Sequence, residues 1–257
     1  MLIVVPPSES KRPPPSEGPP VDLDELSFPK LSQTRRRILD ALIATSARSD
    51  AFQRLQVRPT MASEVARNTY LREAPALPVL DVYVGPLHDG LDAAGLSTEA
   101  TARADRSVVV TSALWGALRP ADRIPPYRLH ICSHLVGMDR LEPAWRAKLP
   151  DVLADAAGSH GVIVDLRSPA YQAAGVPRAS AQRIVTLRIT RARPDHRIGD
   201  VIAKRVRGQA AHHLLESGAE PRDPDEMADV LAGRWPIRLQ APERAGRPWT
   251  MTLSVDD

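Results

Sequence analysis

VVVTSALWGALRPADRIPPYRLHICSHL, residues 108–135, begins with three valines and continues as a segment that contains one glycine, three prolines and several charged residues. Three consecutive β-branched residues predict a buried strand. We expect Thr111 and Ser112 to cap a short helical turn over residues 113–118, and residues 127–129 to resume a strand-like segment after two prolines. A strand that leads into a charged loop is a common setting for a functional site, because the rigid element fixes the loop.

A second apolar run repeats this design. Residues 161–166, GVIVDL, predict a buried strand that ends at Asp165 and Leu166. Ser168 follows as the expected cap of a short helix that carries Tyr171. If this strand and the strand at 108–110 share a parallel sheet, their carboxyl ends face one crevice.

The amino-terminal residues 1–5, MLIVV, predict a strand buried on both faces. The following segment, residues 6–20, contains too many prolines for a helix or a central strand. We interpret it as an ordered site loop that presents Ser8 and Lys11. A disordered proline-rich linker is the alternative.

The remaining patterns indicate a mixed α+β fold with flanking helices, in one domain spanning residues 1–257. A helix is expected from Ser32, with Arg35, Arg36 and Arg37 facing solvent. Residues 79–84 and 183–193 alternate between apolar and polar, and we interpret the latter as a half-buried antiparallel strand. The clearest helix covers residues 199–217. Its expected apolar stripe consists of Ile202, Val206, Ala210 and Leu214, and its polar face carries Lys204 and Arg207.

The composition limits the class of protein. The chain has 257 residues, of which 43% are hydrophobic and 25% are charged, as is ordinary for a soluble globular protein. No apolar run approaches the roughly 20 residues needed to cross a bilayer, and residues 1–5 lead into prolines rather than into a signal peptide. We therefore expect a cytoplasmic protein without a membrane partner.

Metal and cofactor chemistry has little support in the sequence. Cys132 is the one cysteine, which excludes an internal disulfide and a multi-cysteine zinc site, and we expect it to be buried. His212 and His213 are adjacent, so they point in different directions on a helix and do not suggest a metal site. The motifs of zinc proteases, P-loop ATPases, serine hydrolases and dinucleotide-binding proteins are absent. We expect no metal and no cofactor.

Five motifs give the chain a resemblance to the YaaA family, also called UPF0246 or DUF328, over essentially its whole length. They are PPSESK at 6–11, DVYVG at 81–85, SALWGALRPADRIPPYRL at 112–129, VDLRSPAY at 164–171 and AKRVRG at 203–208. The chain departs from the family pattern at three positions, where it has Ser10, Ala113 and His130.

The resemblance implies a role in peroxide stress. It implies a mixed α/β fold of unusual topology, a positively charged cleft and binding to distorted duplex DNA, which limits oxidative damage when free iron rises. It also implies a helix-hairpin-helix-like element, which would correspond to residues 113–116, with Gly116 allowing the backbone to approach a phosphate.

Binding of distorted or single-stranded DNA is the leading functional hypothesis. The segment from Arg178 to Arg207 contains nine arginines and lysines against two aspartates, Asp195 and Asp200. A solvated charged surface is the plain alternative. In the DNA hypothesis Trp115 stacks on an unpaired base. The phosphates are neutralised by Arg119, Arg128, Lys204, Arg205 and Arg207.

A pocket enzyme is the alternative hypothesis, because tyrosines, serines and carboxylates at motif positions have little use in a purely electrostatic cleft. They suggest a small anionic ligand, such as a nucleotide or a nucleobase, with Lys204 or Asp122 as an acid or base. Convergence of these residues on one cavity would support this hypothesis, and dispersal would contradict it. The expected pocket residues are Ser8, Lys11, Tyr83, Arg119, Asp122, Tyr127, Arg128, Asp165, Ser168, Tyr171, Lys204 and Arg207.

Two of these residues also have purely structural interpretations. Arg119 and Asp122 could pair only to stabilise their turn. Tyr127 could be a core aromatic residue whose hydroxyl binds a neighbouring group.

Overall fold

The computed structural model describes residues 1–138, 140–193 and 197–256. The strands are β1 (Leu2–Val5), β2 (Leu77–Pro78), β3 (Val108–Ser112), β4 (Gly116–Leu118), β5 (Arg123–Ile124), β6 (Ile163–Asp165), β7 (Ile184–Arg191), β8 (Ile237–Gln240) and β9 (Trp249–Val255). The α-helices are α1 (Ser32–Ser46), α2 (Ala51–Leu55), α3 (Ala62–Arg67), α4 (Val79–Val82), α5 (Pro86–Leu91), α6 (Thr98–Ser107), α7 (Leu141–Arg146), α8 (Leu149–Ala157), α9 (Pro169–Ala173), α10 (Asp200–Glu216) and α11 (Pro224–Ala232). Short 3-10 helices cover Pro29–Leu31, Pro59–Met61, Asn68–Tyr70, Ala93–Gly95 and Arg178–Arg183.

Seven of the described strands form one mixed sheet in the order β4-β3-β1-β6-β7-β9-β8. The five central strands are parallel to one another, and β4 and β8 are antiparallel edge strands. This arrangement confirms the expected mixed α/β fold. The antiparallel assignment of β7 was wrong, since β7 is parallel to both β6 and β9. Alternation of side chains shows that a strand has one buried face, but it does not reveal the direction of the neighbouring strands.

The centre of the sheet is buried on both faces, as the apolar runs predicted. Each residue of β1 is at most 1% exposed, and Val108, Val109 and Val110 are fully buried. Helix α6 packs against β3, and α10 packs against β7. Among the residues that the structure describes, no helix is both long enough and apolar enough to cross a membrane.

Strands β3 and β4 form a β-hairpin, so the predicted helical turn over residues 113–118 was wrong. Val110 pairs with Leu118, and Ser112 pairs with Gly116. Ser112 nevertheless caps the turn, because its Oγ accepts hydrogen bonds from the amides of Leu114 (3.2 Å) and Trp115 (2.9 Å). Residues 125–130 are irregular rather than a strand.

Gly116 is required in this hairpin for two reasons. Its φ of +76° lies in the left-handed region. In addition, a Cβ atom at this position would lie 2.5 Å from the Trp145 ring. Gly116 therefore serves close packing in the core.

Arg35 of α1 braces the hairpin from inside the protein, although the sequence placed it at the surface. It is fully buried, and its Nε donates to the Trp115 carbonyl at 2.9 Å. Its Nη2 donates to the carbonyls of Ala117 and Ser27, both at 2.7 Å. Burial lowers the pKa of Arg35 to about 10, and the nearby charge of Asp122 opposes this shift.

Helix α10 confirms the clearest sequence prediction and crosses α5 at very close range. A Cβ atom on Gly208 would lie only 2.0 Å from the Leu87 carbonyl oxygen, and one on Gly90 would lie 2.1 Å from the Arg205 carbonyl oxygen. The expected apolar stripe was partly wrong, because Ile202 is 41% exposed. Residues 79–82, which alternate like a strand, form the short helix α4.

Candidate functional site

The connections of the central strands diverge at β1 and β6. The chain leaves β1 toward β3 on one side, and it leaves β6 toward β7 on the other side. Ligand sites in open α/β sheets occur outside the carboxyl ends of strands at such a point. The loop after β1 supplies Lys11, and the helix after β6 supplies Tyr171.

We define the lysine–tyrosine site as Lys11, Tyr83, Tyr127, Arg128 and Tyr171. Its loop is ordered by backbone hydrogen bonds, and Lys11 forms an isolated antiparallel bridge with Tyr83. The amide of residue 12 donates to the carbonyl of residue 82 at 2.8 Å, and the amide of residue 84 donates to the carbonyl of residue 10 at 3.2 Å. The proline-rich segment is therefore packed against the protein at this point.

Lys11 is held between two aromatic rings. Its Nζ lies 4.3 Å from the Tyr127 ring centroid and 5.4 Å from the Tyr83 ring centroid. The same Nζ donates to the Ser8 carbonyl at 2.9 Å. Burial lowers the pKa of Lys11 to about 8, an effect that the charge of Glu9 opposes. The lysine amine is therefore close to its titration range at neutral pH.

The hydroxyl groups of Tyr83, Tyr127 and Ser112 form a buried chain of hydrogen bonds. The Tyr83 and Tyr127 hydroxyl oxygens are 3.0 Å apart, and the Tyr127 oxygen lies 2.7 Å from Ser112 Oγ. Burial raises the pKa of Tyr83 to about 12 and raises the pKa values of Tyr127 and Tyr171 well above their usual value. All three phenols stay protonated near neutral pH, so they can donate hydrogen bonds.

Two donors of the site are buried without a partner in the described part of the chain. They are the Tyr171 hydroxyl and Nε of Arg128. Burial is the main cause of the raised pKa of Tyr171, and the charges of Glu9 and Tyr83 add to it. A buried donor without a partner costs free energy, so both groups suit a ligand that accepts hydrogen bonds.

Glu9 contacts the cationic side of the site, although the sequence did not single it out. Arg128 Nη1 donates to the Glu9 carbonyl at 3.1 Å, and Arg128 Nη2 lies 3.4 Å from Glu9 Oε2. Glu64 lies 3.4 Å from the same guanidinium. The only sequence signal for Glu9 is its place in PPSESK.

His88 is a second residue that the sequence did not reveal. Its ring centroid lies 5.3 Å from that of Tyr83, and its Nε2 lies 3.1 Å from the Pro6 carbonyl oxygen. Burial lowers the pKa of His88 to about 4, so the imidazole is neutral near pH 7. The imidazole packs against the Tyr83 ring, and no pattern in the sequence indicates this contact.

Asp165 and Ser168 act on the helix that carries Tyr171. Arg167 Nε and Nη2 each donate to one carboxylate oxygen of Asp165, both at 2.8 Å, in a buried ion pair. Arg167 Nη1 also donates to the carbonyls of Tyr171 and Gly175. Ser168 is exposed at the start of α9 and makes no side-chain cap, contrary to the prediction. We interpret Asp165 as a residue that positions α9, since its oxygens are already paired.

Arg119 and Asp122 lie near the amino end of β3, whereas Lys11 follows the carboxyl end of the parallel strand β1. Arg119 Nη1 donates to the carbonyls of Arg106 and Val108, at the amino end of β3. Asp122 accepts hydrogen bonds from the Arg119 amide and from both the amide and the hydroxyl of Ser27. The expected convergence of all twelve residues is therefore wrong, and the Asp122 carboxylate is engaged in its own turn rather than beside Lys11.

Of the three candidate site residues of α10, Lys204 and Arg207 have their partners outside the lysine–tyrosine site. Lys204 is 48% exposed at its side chain and pairs with Asp200 at 2.6 Å. Arg205 is exposed, and Arg207 Nε donates to the Leu187 carbonyl at 3.2 Å. The proposed acid or base role of Lys204 has no support in this geometry.

Two further predictions about individual side chains were wrong. Trp115 is fully buried in the core, where it cannot stack on a base, and its ring meets Tyr127 edge to face. Cys132 is exposed rather than buried.

The part of the basic segment at residues 194–196 lies outside the described residues.

A second polar surface, which we call the open face, lies on β7, β9 and β8. Thr186, Arg188 and Thr190 alternate with the buried residues of β7 and are intermediate or exposed. Residues paired with them in β9 and β8 lie on the same side of the sheet. The open face consists of Thr186, Arg188, Thr190, Arg238, Gln240, Thr250, Thr252 and Ser254. None of these eight residues is acidic.

Comparisons with known proteins agree with the resemblance seen in the motifs. A family model described as "Peroxide stress protein YaaA" matches residues 1–237. A UPF0246 protein of Streptomyces coelicolor is 37% identical over 261 residues, covering 100% of this chain and 99% of the relative. A UPF0246 protein of Corynebacterium efficiens is 36% identical over 259 residues, covering 99% of this chain and 100% of the relative. One from Corynebacterium glutamicum is 31% identical over 261 residues.

Proposed function

Because the chain belongs to the YaaA family of peroxide stress proteins, we propose that it serves that response by binding a small anionic ligand in the lysine–tyrosine site. The observation that carries this proposal is the position of Lys11, whose amine lies between two tyrosine rings and beside Arg128. The ligand class is a nucleotide or a nucleobase in anionic form. The site would also exchange a proton with this ligand.

The donors of the site are suited to an anion. Lys11 and Arg128 supply positive charge, and the three protonated tyrosines supply neutral hydroxyl donors. The Tyr171 hydroxyl and Arg128 Nε are buried and gain a partner when a ligand accepts their hydrogen bonds. In the structure the Glu9 carboxylate pairs with Nη2 of Arg128. An anionic ligand would displace this carboxylate.

The lowered pKa of Lys11 supports a role in proton transfer. A group whose pKa lies near the working pH is present in both protonation states, which is the condition for general acid and base catalysis. The neutral amine can take a proton from an N–H or O–H group of the ligand. The resulting ammonium then stabilises the negative charge left on the ligand.

We predict that the affinity for adenosine monophosphate falls as the pH rises through about 8. Lys11 is protonated below this pKa and neutral above it, so the favourable charge is present at low pH and lost at high pH. The loss approaches about tenfold per pH unit for one proton. Tyr83 does not titrate in this range, because its pKa is about 12. Isothermal titration calorimetry between pH 6.5 and 9.5 measures the effect.

Variants at one position identify the titrating group. Lys11→Arg keeps its charge and is expected to flatten the pH profile, whereas Lys11→Gln is expected to lower affinity at pH 7 by about tenfold or more. Lys30→Gln, at a surface lysine, is the matched control. A Cys132→Ser background removes a thiol, a group that commonly ionises in the same range. An unchanged profile in Lys11→Arg would rule out Lys11 as the anion-binding group.

Nucleic-acid binding is a second candidate function, and the open face is the observation that favours it. Two exposed arginines, Arg188 and Arg238, lie among hydroxyl and amide side chains, and none of the eight residues of the open face is acidic. Arginine and threonine are common donors to DNA phosphates. This surface carries no aromatic side chain for base stacking, so it would bind the backbone rather than read bases.

The double variant Arg188→Glu/Arg238→Glu is expected to weaken binding to bubble-containing DNA and to reduce the dependence of affinity on salt. Each lost phosphate contact lowers the slope of log K against log salt by about 0.9. Fluorescence anisotropy at several salt concentrations measures both effects. The control, Arg37→Glu/Arg58→Glu, makes the same change in net charge at exposed positions elsewhere. Equal losses in both double variants would exclude the open face as a DNA-binding surface.

A further inference from the structure

A cavity of about 840 Å³ lies beside the lysine–tyrosine site but uses none of its residues. It is bounded by α8, α9, the segment 175–179 and the loop at 246–248. Helix α9 contributes Pro169, Gln172 and Ala173 to this cavity, whereas its Tyr171 belongs to the other site. The volume falls in the range of small-molecule sites, roughly 300–1,000 Å³. We call this cavity the α8–α9 groove.

The interior of the groove is largely apolar, and two of its polar side chains, Asp165 and Thr186, already have partners within the protein. Asp165, Ile184 and Thr186 come from the same face of β6 and β7. Arg167 already neutralises Asp165, and the Thr186 hydroxyl donates to the Trp249 carbonyl at 3.1 Å. The walls carry Ala154 and Val176 together with prolines. Such a lining favours a ligand with an apolar body.

The mouth of the groove is positively charged. Arg178 and Arg247 are both exposed, and neither side chain has a hydrogen bond or an ion pair within the described ranges. A third arginine of the lining, Arg146, pairs with Glu142 on its own helix. Asp151 is the remaining charged residue of the lining, so the two arginines outweigh it. Charge at the mouth therefore favours an anionic group on the ligand.

We infer that the α8–α9 groove binds an amphipathic anion, whose apolar body lies against Ala154 and Val176 and whose acidic group lies between Arg178 and Arg247. The acidic group is a carboxylate, a sulfonate or a phosphate, all of which match the fork of a guanidinium. This site goes beyond the proposed function, because it is a separate site with a different ligand class.

The probe for this inference is 8-anilinonaphthalene-1-sulfonate, which combines aromatic rings with one sulfonate and fluoresces when it leaves water. We expect saturable binding of one molecule to the folded, full-length chain. Arg178→Glu/Arg247→Glu is expected to weaken binding about tenfold or more. Ala154→Trp fills the groove and should weaken it as well. Circular dichroism confirms that each variant is folded, because this dye also binds loosened proteins.

Two controls separate the groove from other causes. Arg37→Glu/Arg58→Glu makes the same change in net charge outside the lining and should leave the affinity unchanged. Lys11→Gln should also leave it unchanged, which separates this inference from the lysine–tyrosine site. The inference is overturned if the chain binds no dye, if the Arg178 and Arg247 reversal has no effect, or if both double reversals weaken binding equally.

Discussion

Arg35→Met is expected to lower the free energy of unfolding by about 3–5 kcal/mol, because three carbonyl groups lose their hydrogen-bond donor. The guanidinium donates to three carbonyl groups, those of Trp115, Ala117 and Ser27. Methionine fills much of the space but donates nothing. Each buried carbonyl that loses its partner costs roughly 1–3 kcal/mol. The β3–β4 hairpin would lose its internal brace.

Urea denaturation followed by circular dichroism measures this loss. Arg37→Met is the matched control, because Arg37 lies two residues away on the same helix and is exposed. A surface change of this kind is expected to stay within about 0.5 kcal/mol. If both variants lose the same small amount, Arg35 does not hold the hairpin.

Gly208→Ala is expected to cost about 3 kcal/mol, although it adds only one methyl group. The new Cβ would lie 2.0 Å from the Leu87 carbonyl oxygen and 2.6 Å from the Leu91 amide nitrogen. These are backbone atoms of α5, which cannot move aside like the end of a flexible side chain. The two helices would have to separate, and their buried contact would weaken.

Gly233→Ala provides the comparison within the same chain. Its nearest neighbour would be 3.7 Å away, and its φ of −63° suits any residue. This change is expected to be neutral or slightly stabilising, because alanine restricts the unfolded chain. Thermal and urea denaturation of both variants measure the contrast. A Gly208→Ala variant as stable as Gly233→Ala would contradict the close helix crossing.

The sequence predicted strands where β-branched residues form a continuous run, as at residues 1–5, 108–110 and 161–166. Such runs are buried on both faces, so their own composition is sufficient evidence. The direction of β7 was not predictable, because alternation is the same in parallel and antiparallel sheets. The burial of Arg35 was also hidden, since its carbonyl partners at Trp115 and Ala117 are about eighty positions away along the chain.

The candidate site was predicted in part. Motif positions led to Lys11, Tyr83, Tyr127, Arg128 and Tyr171, which the fold brings to one region at the carboxyl ends of the central strands. The same reasoning also selected Arg119 and Asp122. In the sequence, a polar residue that binds a ligand after a strand cannot be distinguished from one that binds a backbone carbonyl. The difference is visible only in the hydrogen bonds.

By itself, the sequence determined the family, the mixed α/β character and the buried central strands, because these depend on local composition and on motifs along the chain. The tertiary structure decided which polar residues meet. It separated Arg119 from Lys11 by the length of β3 and turned residues 113–118 into a hairpin. It also surrounded Lys11 with tyrosines. These outcomes depend on contacts between distant segments, and such contacts leave no periodic signal in the sequence.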